Sequence, residues 1–272
     1  MLEIFSYDFM VRAFIAAICI SVIAPCIGQV IVLKRLSAIG DATSHSALAG
    51  IAAGLAFGFN PILGAVIFSV FAVFMVEGFR KAFGRYADIA PIVVLSAGVG
   101  LTAVFSGFIR NSGANLNSYL FGSIVAVSEG EMYMTAALSV VVLAVTVILY
   151  RELFYIAFDE ESAQLSKVAV RRVNFVFMII TAVTVSIASR IVGALMVSSL
   201  MVIPVAAAMT VAKSYKQTMI FSVLFALFFT ITGLFLSFYV KFDIGELKPG
   251  GTIVLTGVIV LTALLFCKRK RG

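Results

Sequence analysis

The sequence predicts an all-α membrane protein, a polytopic helical bundle of about nine transmembrane helices, with eight as the alternative count. Three observations carry this reading. Of 272 residues, 62% are hydrophobic and 12% are charged, whereas roughly a quarter of residues are charged in a soluble domain. Apolar segments of about 18–25 residues recur from end to end, each long enough to cross a hydrocarbon core of about 30 Å. Basic residues gather in alternate connections between them. Nothing left over is long enough for a soluble catalytic domain, so residues 1–272 read as a single transmembrane domain.

The expected spans are 9–33, 36–58, 61–80, 90–109, 130–150, 173–189, 192–212, 217–240 and 251–267. The start, "MLEIFSYDFMVRAF", carries acids and no basic leader, so the first span is expected to stay rather than be cleaved. It holds Cys19 and Cys26, seven residues apart on one helix, and Cys267 lies near the far end. No disulfide within the helix and no chelating spacing is available to that pair. The second span is dense in small residues, with Gly50, Gly54 and Gly58 spaced by four, and the fourth carries Gly98 and Gly100. Small faces let helices approach closely in lipid, and helix packing alone accounts for them. The seventh span has Ser198, Ser199 and then Pro204 in its interior. Proline removes a backbone donor and obstructs the preceding turn, so a kink or break is expected there. If 190–212 only dips into the bilayer, the count falls to eight. The stretch 115–128, "NLNSYLFGSIVAVS", is too short and polar for a full span and reads as a re-entrant or interfacial piece.

Charge orients the bundle. Lys34 and Arg35 follow span one; Arg80, Lys81 and Arg85 follow span three; Arg151, Lys167, Arg171 and Arg172 follow span five. Lys213 and Lys216 follow span seven, and "KRKR" follows span nine. The opposite connections are poorer in positive charge. The positive-inside rule then places the N-terminus outside and the C-terminus in the cytoplasm. The net charge of +7 is thus topogenic, and no nucleic-acid partner is implied.

The longest cytoplasmic connection, 151–172, mixes Leu153, Phe154, Ile156 and Phe158 with Asp159, Glu160 and Glu161. It reads equally as a docking surface for a soluble partner and as an interfacial helix that only joins two spans.

The second span opens with "GDATSHSALAG", which holds the only histidine in the chain, His45, four residues after Asp41. A rise of about 1.5 Å per residue puts His45 roughly 14 Å into the bilayer and Asp41 about 6 Å nearer the cytoplasm. The i, i+4 spacing sets both on one helix face. A charge at that depth costs several kcal/mol unless it faces protein or water. A carboxylate oxygen and an imidazole nitrogen suit a divalent transition metal, and two ligands on one helix suit a site that releases its ion. Two other uses fit the pair: hydrogen bonding to a neighbouring helix, and proton relay. Glu77 reads as a solvated helix-end residue beside Arg80 and Lys81. Glu129, Glu131, Asp243 and Glu246 lie on the outer side, where they serve as loop solvation or attract cations. There is no Walker A pattern, no GxSxG and no HExxH, so the chain has no evident means of using ATP itself.

Five stretches resemble the permease subunits of bacterial ABC importers for zinc, manganese and iron: "LKRLSAIGDATSHSALAG", "FGSIVAVS", "ELFYIAFDEESAQLSKV", "VGALMVSSLMVIPVAAAMTVAK" and "GELKPGGTIVL". The resemblance runs over most of the chain and keeps the motif order. It implies the metal-importer permease fold in a bacterial plasma (inner) membrane. It also implies a dimer with a second copy or a close paralogue, two cytoplasmic ABC ATPases beneath, and an extracytoplasmic metal-binding protein above. By resemblance, the metal-contacting pair maps onto Asp41 and His45, and the ATPase-docking surface maps onto Phe158, Asp159, Glu160 and Glu161. No cofactor is bound permanently; the metal is cargo. One departure is Ala49, where relatives commonly carry proline. The expectation is therefore a transport subunit without enzymatic activity of its own, working by alternating access. The rival is an ion- or proton-coupled secondary transporter using Asp41 and His45 as a relay. Such folds pair broken helices in inverted repeats, and no second GDATSHS-like stretch is present.

Overall fold

The structure, a computed structural model, describes residues 7–109, 119, 122, 127–242 and 245–269. Most of 115–128, the stretch expected to be re-entrant or interfacial, lies outside the described residues, as does Asp243.

Eleven α-helices are present among the described residues: α1 (Asp8–Leu33), α2 (Ile39–Phe57), α3 (Pro61–Phe83), α4 (Ile89–Ser106), α5 (Glu129–Ile148), α6 (Tyr150–Phe158), α7 (Glu160–Leu165), α8 (Val170–Val192), α9 (Ala194–Val211), α10 (Tyr215–Tyr239) and α11 (Pro249–Arg269). A two-residue hairpin, β1 (Lys241–Phe242) against β2 (Gly245–Glu246), joins α10 to α11. Local chemistry sets several starts. Asn60 accepts from the N–H of Ile62 at 2.9 Å with Pro61 in the first turn of α3, and Ser128 and Glu131 form a capping box on α5.

Among the described residues, eight helices are long and apolar enough to cross a membrane. The ninth long helix, α2, is not among them, because Asp41, Thr43, Ser44, His45 and Ser46 dilute its first half. The sequence makes 190–212 the doubtful span, yet α9 is one of the eight. It also runs through Pro204 without a break. The interruption falls instead at Gly193, with φ 96°, the sole residue between α8 and α9. A left-handed backbone carries no steric cost at glycine, whereas a proline only forfeits one bond of a helix that burial otherwise holds.

The core is built around α1, which packs against α5, α9 and α10. Ile20, Ile23, Ile27, Met201, Phe229, Leu234 and Ile253 are among its largest fully buried side chains. Ser21 and Thr230 share a hydroxyl hydrogen bond there. Helix α2 packs most extensively against α3 and α4 and also touches α8 and α9. Its glycines permit this. A Cβ on Gly50 would lie 2.1 Å from the Gly64 carbonyl oxygen of α3, and one on Gly98 of α4 would lie 2.9 Å from the Ser46 amide nitrogen. Backbone-to-backbone approach of this kind replaces the hydrophobic drive that lipid does not supply. The outward faces of α3, α4, α5 and α11 expose Phe71, Val104, Val147 and Ile259, as a lipid-facing surface should.

Candidate functional site

From residue 39 to residue 54, every residue of α2 is buried except Asp41 and His45, which are partly exposed. The small residues that let α3, α4 and α9 close on three sides leave this one stripe open. The hydroxyls around the pair are occupied locally: Thr43 Oγ1 donates to the Ile39 carbonyl at 2.7 Å, and Ser44 Oγ donates to the Asp41 carbonyl at 3.1 Å. Ser69 of α3 donates to the Thr43 carbonyl at 3.4 Å. The Asp41 carboxylate and the His45 imidazole have no hydrogen-bonding or ion-pairing partner at contact distance among the described residues. A partner-free acid and imidazole inside a bundle can accept a cation. Among the described residues no group of three or more His, Cys, Asp or Glu side chains comes together.

The four residues of the acidic connection divide. Phe158 is 64% exposed and sets its ring, tilted, 5.0 Å from that of Phe154. Asp159 is exposed and caps α7, accepting from the Glu161 amide at 3.0 Å and from the Ser162 hydroxyl. These bonds hold its carboxyl below the ordinary value. Glu161 is exposed too. Glu160 turns inward. Its Oε1 accepts from Asn174 Nδ2 at 2.8 Å, and its Oε2 lies 3.3 Å from Arg80 Nη2 and 3.7 Å from Lys34 Nζ. Burial opposes its ionisation, but Lys34 and Arg80, with hydrogen bonds from Arg80 and Asn174, overcome that and hold the carboxyl below its usual range. For Lys34 burial wins, and its ammonium sits below the usual lysine value despite Glu160.

Sequence reasoning missed this cluster. Glu77, expected to be solvated, has a side chain only 15% exposed, paired with Arg80 Nε at 2.9 Å and with Lys81 Nζ at 3.3 Å. Asn174 carries no signal at all in the sequence. Leu165, 86% exposed, adds an apolar tip to the connection. At the opposite ends of the helices from Glu160, in the region expected to lie outside, Glu129 lies 3.3 Å from Arg12, and Glu131 pairs with Arg190. Glu131 is thus shielded and paired within the chain, whereas Glu129 stays exposed beside its arginine.

With this geometry in view, known proteins sharpen the reading. The sequence profile of the ABC 3 transport family matches residues 6–268, and the chain belongs to that family of transport permeases. It is 34% identical over 261 residues, 95% of each chain, to a Treponema pallidum protein named "Probable metal transport system membrane protein". It is 29% identical to the "Manganese import system permease protein ScaB" of Streptococcus parasanguinis, over 97% of this chain and 92% of that one. It is 26% identical to the "High-affinity zinc uptake system membrane protein ZnuB" of Haemophilus influenzae, over 97% and 99%. The solved structure of "PsaBC from Streptococcus pneumoniae in complex with Fab" superposes with a TM-score of 0.84 at 25% identity, covering 97% of this chain and 93% of that one. The protein is accordingly a multi-pass membrane permease subunit of a metal ABC importer.

Proposed function

We propose that this permease carries a divalent transition metal, manganese or zinc in the first instance and iron as a third candidate, into a bacterial cytoplasm by ATP-driven alternating access. Asp41 and His45 form the transient site. The observation that supports this is the lone open stripe on α2: an acid and an imidazole without internal partners on an otherwise buried helix. An aspartate oxygen with an imidazole nitrogen suits manganese or zinc, and two donors per chain leave the rest of the coordination to water or to a second copy. Weak ligation favours release. His45 must be neutral to ligate, so uptake slows in acid.

In this reading α2 is the ninth span, the N-terminus lies outside, and the basic connections and C-terminus lie in the cytoplasm. Two ABC ATPases dock on α6–α7, where Phe158, Asp159, Glu161 and Leu165 face outward. A second permease copy or close paralogue completes the pathway. An extracytoplasmic metal-binding protein delivers the ion, and the membrane is the bacterial plasma membrane.

The test is uptake of radiolabelled manganese and zinc by the whole complex in vesicles, with Asp41→Ala and His45→Ala. Each substitution is expected to cut uptake by more than about tenfold, since even losing a group that merely orients a metal ligand costs about 10–100-fold, while the complex still assembles on a sizing column. Wild-type uptake in either variant overturns the assignment. A chain that purifies without an ATPase and works on an ion gradient would instead favour the secondary-transporter rival.

A further inference from the structure

Glu160 is a further site where this chain spends a charged side chain on something other than solvation. The carboxylate sits on the six-residue α7, yet it holds the cytoplasmic ends of three long helices at once. Arg80 comes from the end of α3 and Asn174 from the start of α8. Lys34 comes from the residue that ends α1. Asn174 Oδ1 also accepts from Lys34 Nζ at 3.1 Å, which closes a ring of Glu160, Lys34 and Asn174. Glu77 grips the far side of Arg80. A small cavity lined by Lys34, Glu77, Asn174 and Ile39 lies beside the ring, so these groups meet where α2 begins.

The connection from Lys34 to α2 has little slack. Arg35 adopts φ 59°, unusual for a non-glycine residue. The Leu36 amide donates to the Ile31 carbonyl at 2.9 Å, and the Ile39 amide donates to the Leu36 carbonyl at 2.8 Å. A displacement of Lys34 is therefore handed to α2, whose first turn carries Asp41.

We infer that Glu160 is a positioning residue that ties α7 to the α1–α2 turn: the intact ring gathers the cytoplasmic ends of α1, α3 and α8, and drawing α7 away breaks it and releases α2. This rests on the reading of α6–α7 as the ATPase-docking face. It gives Glu160 a different task from its neighbours Asp159 and Glu161, namely transmission inside the permease rather than contact with the partner.

The experiment uses the whole complex in vesicles and reads three quantities together: ATPase retained on purification, ATP hydrolysed, and radiolabelled manganese or zinc taken up. Glu160→Gln is expected to keep the ATPase bound but to lower uptake per ATP roughly tenfold, the scale of a typical coupling free energy between sites. Lys34→Gln, which lies away from the docking face, is expected to do the same. The double variant is expected to be no worse than either single one, as required when two side chains act through one ring. Should Glu160→Gln fail to assemble, Lys34→Gln carries the same expectation alone. Release of the ATPase by Glu160→Gln with an unaffected Lys34→Gln, additive losses, or a wild-type uptake-to-ATP ratio each overturns the inference. A wild-type complex that holds no ATPase would bring down the docking reading itself, a result separable from the others.

Discussion

The polar stripe on α2 and the charged ring where the end of α1, the end of α3 and the start of α8 meet are built from similar residue types and are opposite in design. In the ring every charge has a partner: Glu77 with Arg80 and Lys81, Glu160 with Arg80 and Lys34, and Asn174 with both Glu160 and Lys34. On α2, Asp41 and His45 have none at contact distance among the described residues. Partly buried charges that satisfy one another hold helices together. Charges left unsatisfied in the same bundle cost stability and are retained for a visitor. On the proposed reading, the difference separates a mechanical joint from a resting place for an ion.

The comparison breaks most violently if α2 is unseated. Gly50→Val places its Cβ against the Gly64 carbonyl, where even a methyl would lie 2.1 Å away. The expected loss is at least about 3 kcal/mol, with α2 pushed off α3. A thermal unfolding midpoint in detergent that stays at the wild-type value would show that α3 yields freely. A sharper cut compares one carboxylate from each region. Glu77→Gln leaves Arg80 and Lys81 under-paired and is expected to cost about 2 kcal/mol. Asp41→Asn, with no partner to strand, is expected to stay within about 0.5 kcal/mol while still impairing uptake. Equal destabilisation by the two would make Asp41 a packing residue and end the contrast.

The smallest effect is one of pH. Because its partners depress the carboxyl of Glu160 in the folded protein, the stability it contributes is fully present above the unfolded carboxylate value of about 4.3. It is lost as pH falls through the lower, folded value. The gap in melting temperature between wild type and Glu160→Gln is therefore expected to be constant from neutral pH down to about 4.5 and to close below it. A gap that closes nearer pH 6 would mean the carboxyl is not held down by Lys34 and Arg80.

Much of this molecule was legible in its sequence because lipid imposes simple rules. Long apolar runs gave the long helices to within a few residues. Asp41 and His45 stood out because charge is rare at membrane depth. Pro204 misled, since local propensity favoured a break that burial of α9 overrides, while Gly193 gave no warning of the turn it makes. Glu77 and Lys34 were read as end-of-span charges, because a sequence shows which side of the membrane a charge occupies and not whom it meets.

The chain's own order of residues determined that it spans the membrane repeatedly, which way its basic loops incline it, and which two side chains interrupt an otherwise apolar interior. These follow from hydropathy and i, i+4 spacing, which are properties of short segments. Only the packed bundle decided that the two remain open while their neighbours are buried, and that Glu160 faces inward while Asp159 and Glu161 face out. Those outcomes depend on contacts among helices far apart in sequence, at distances that glycines such as Gly50 and Gly98 allow, and no local pattern encodes them.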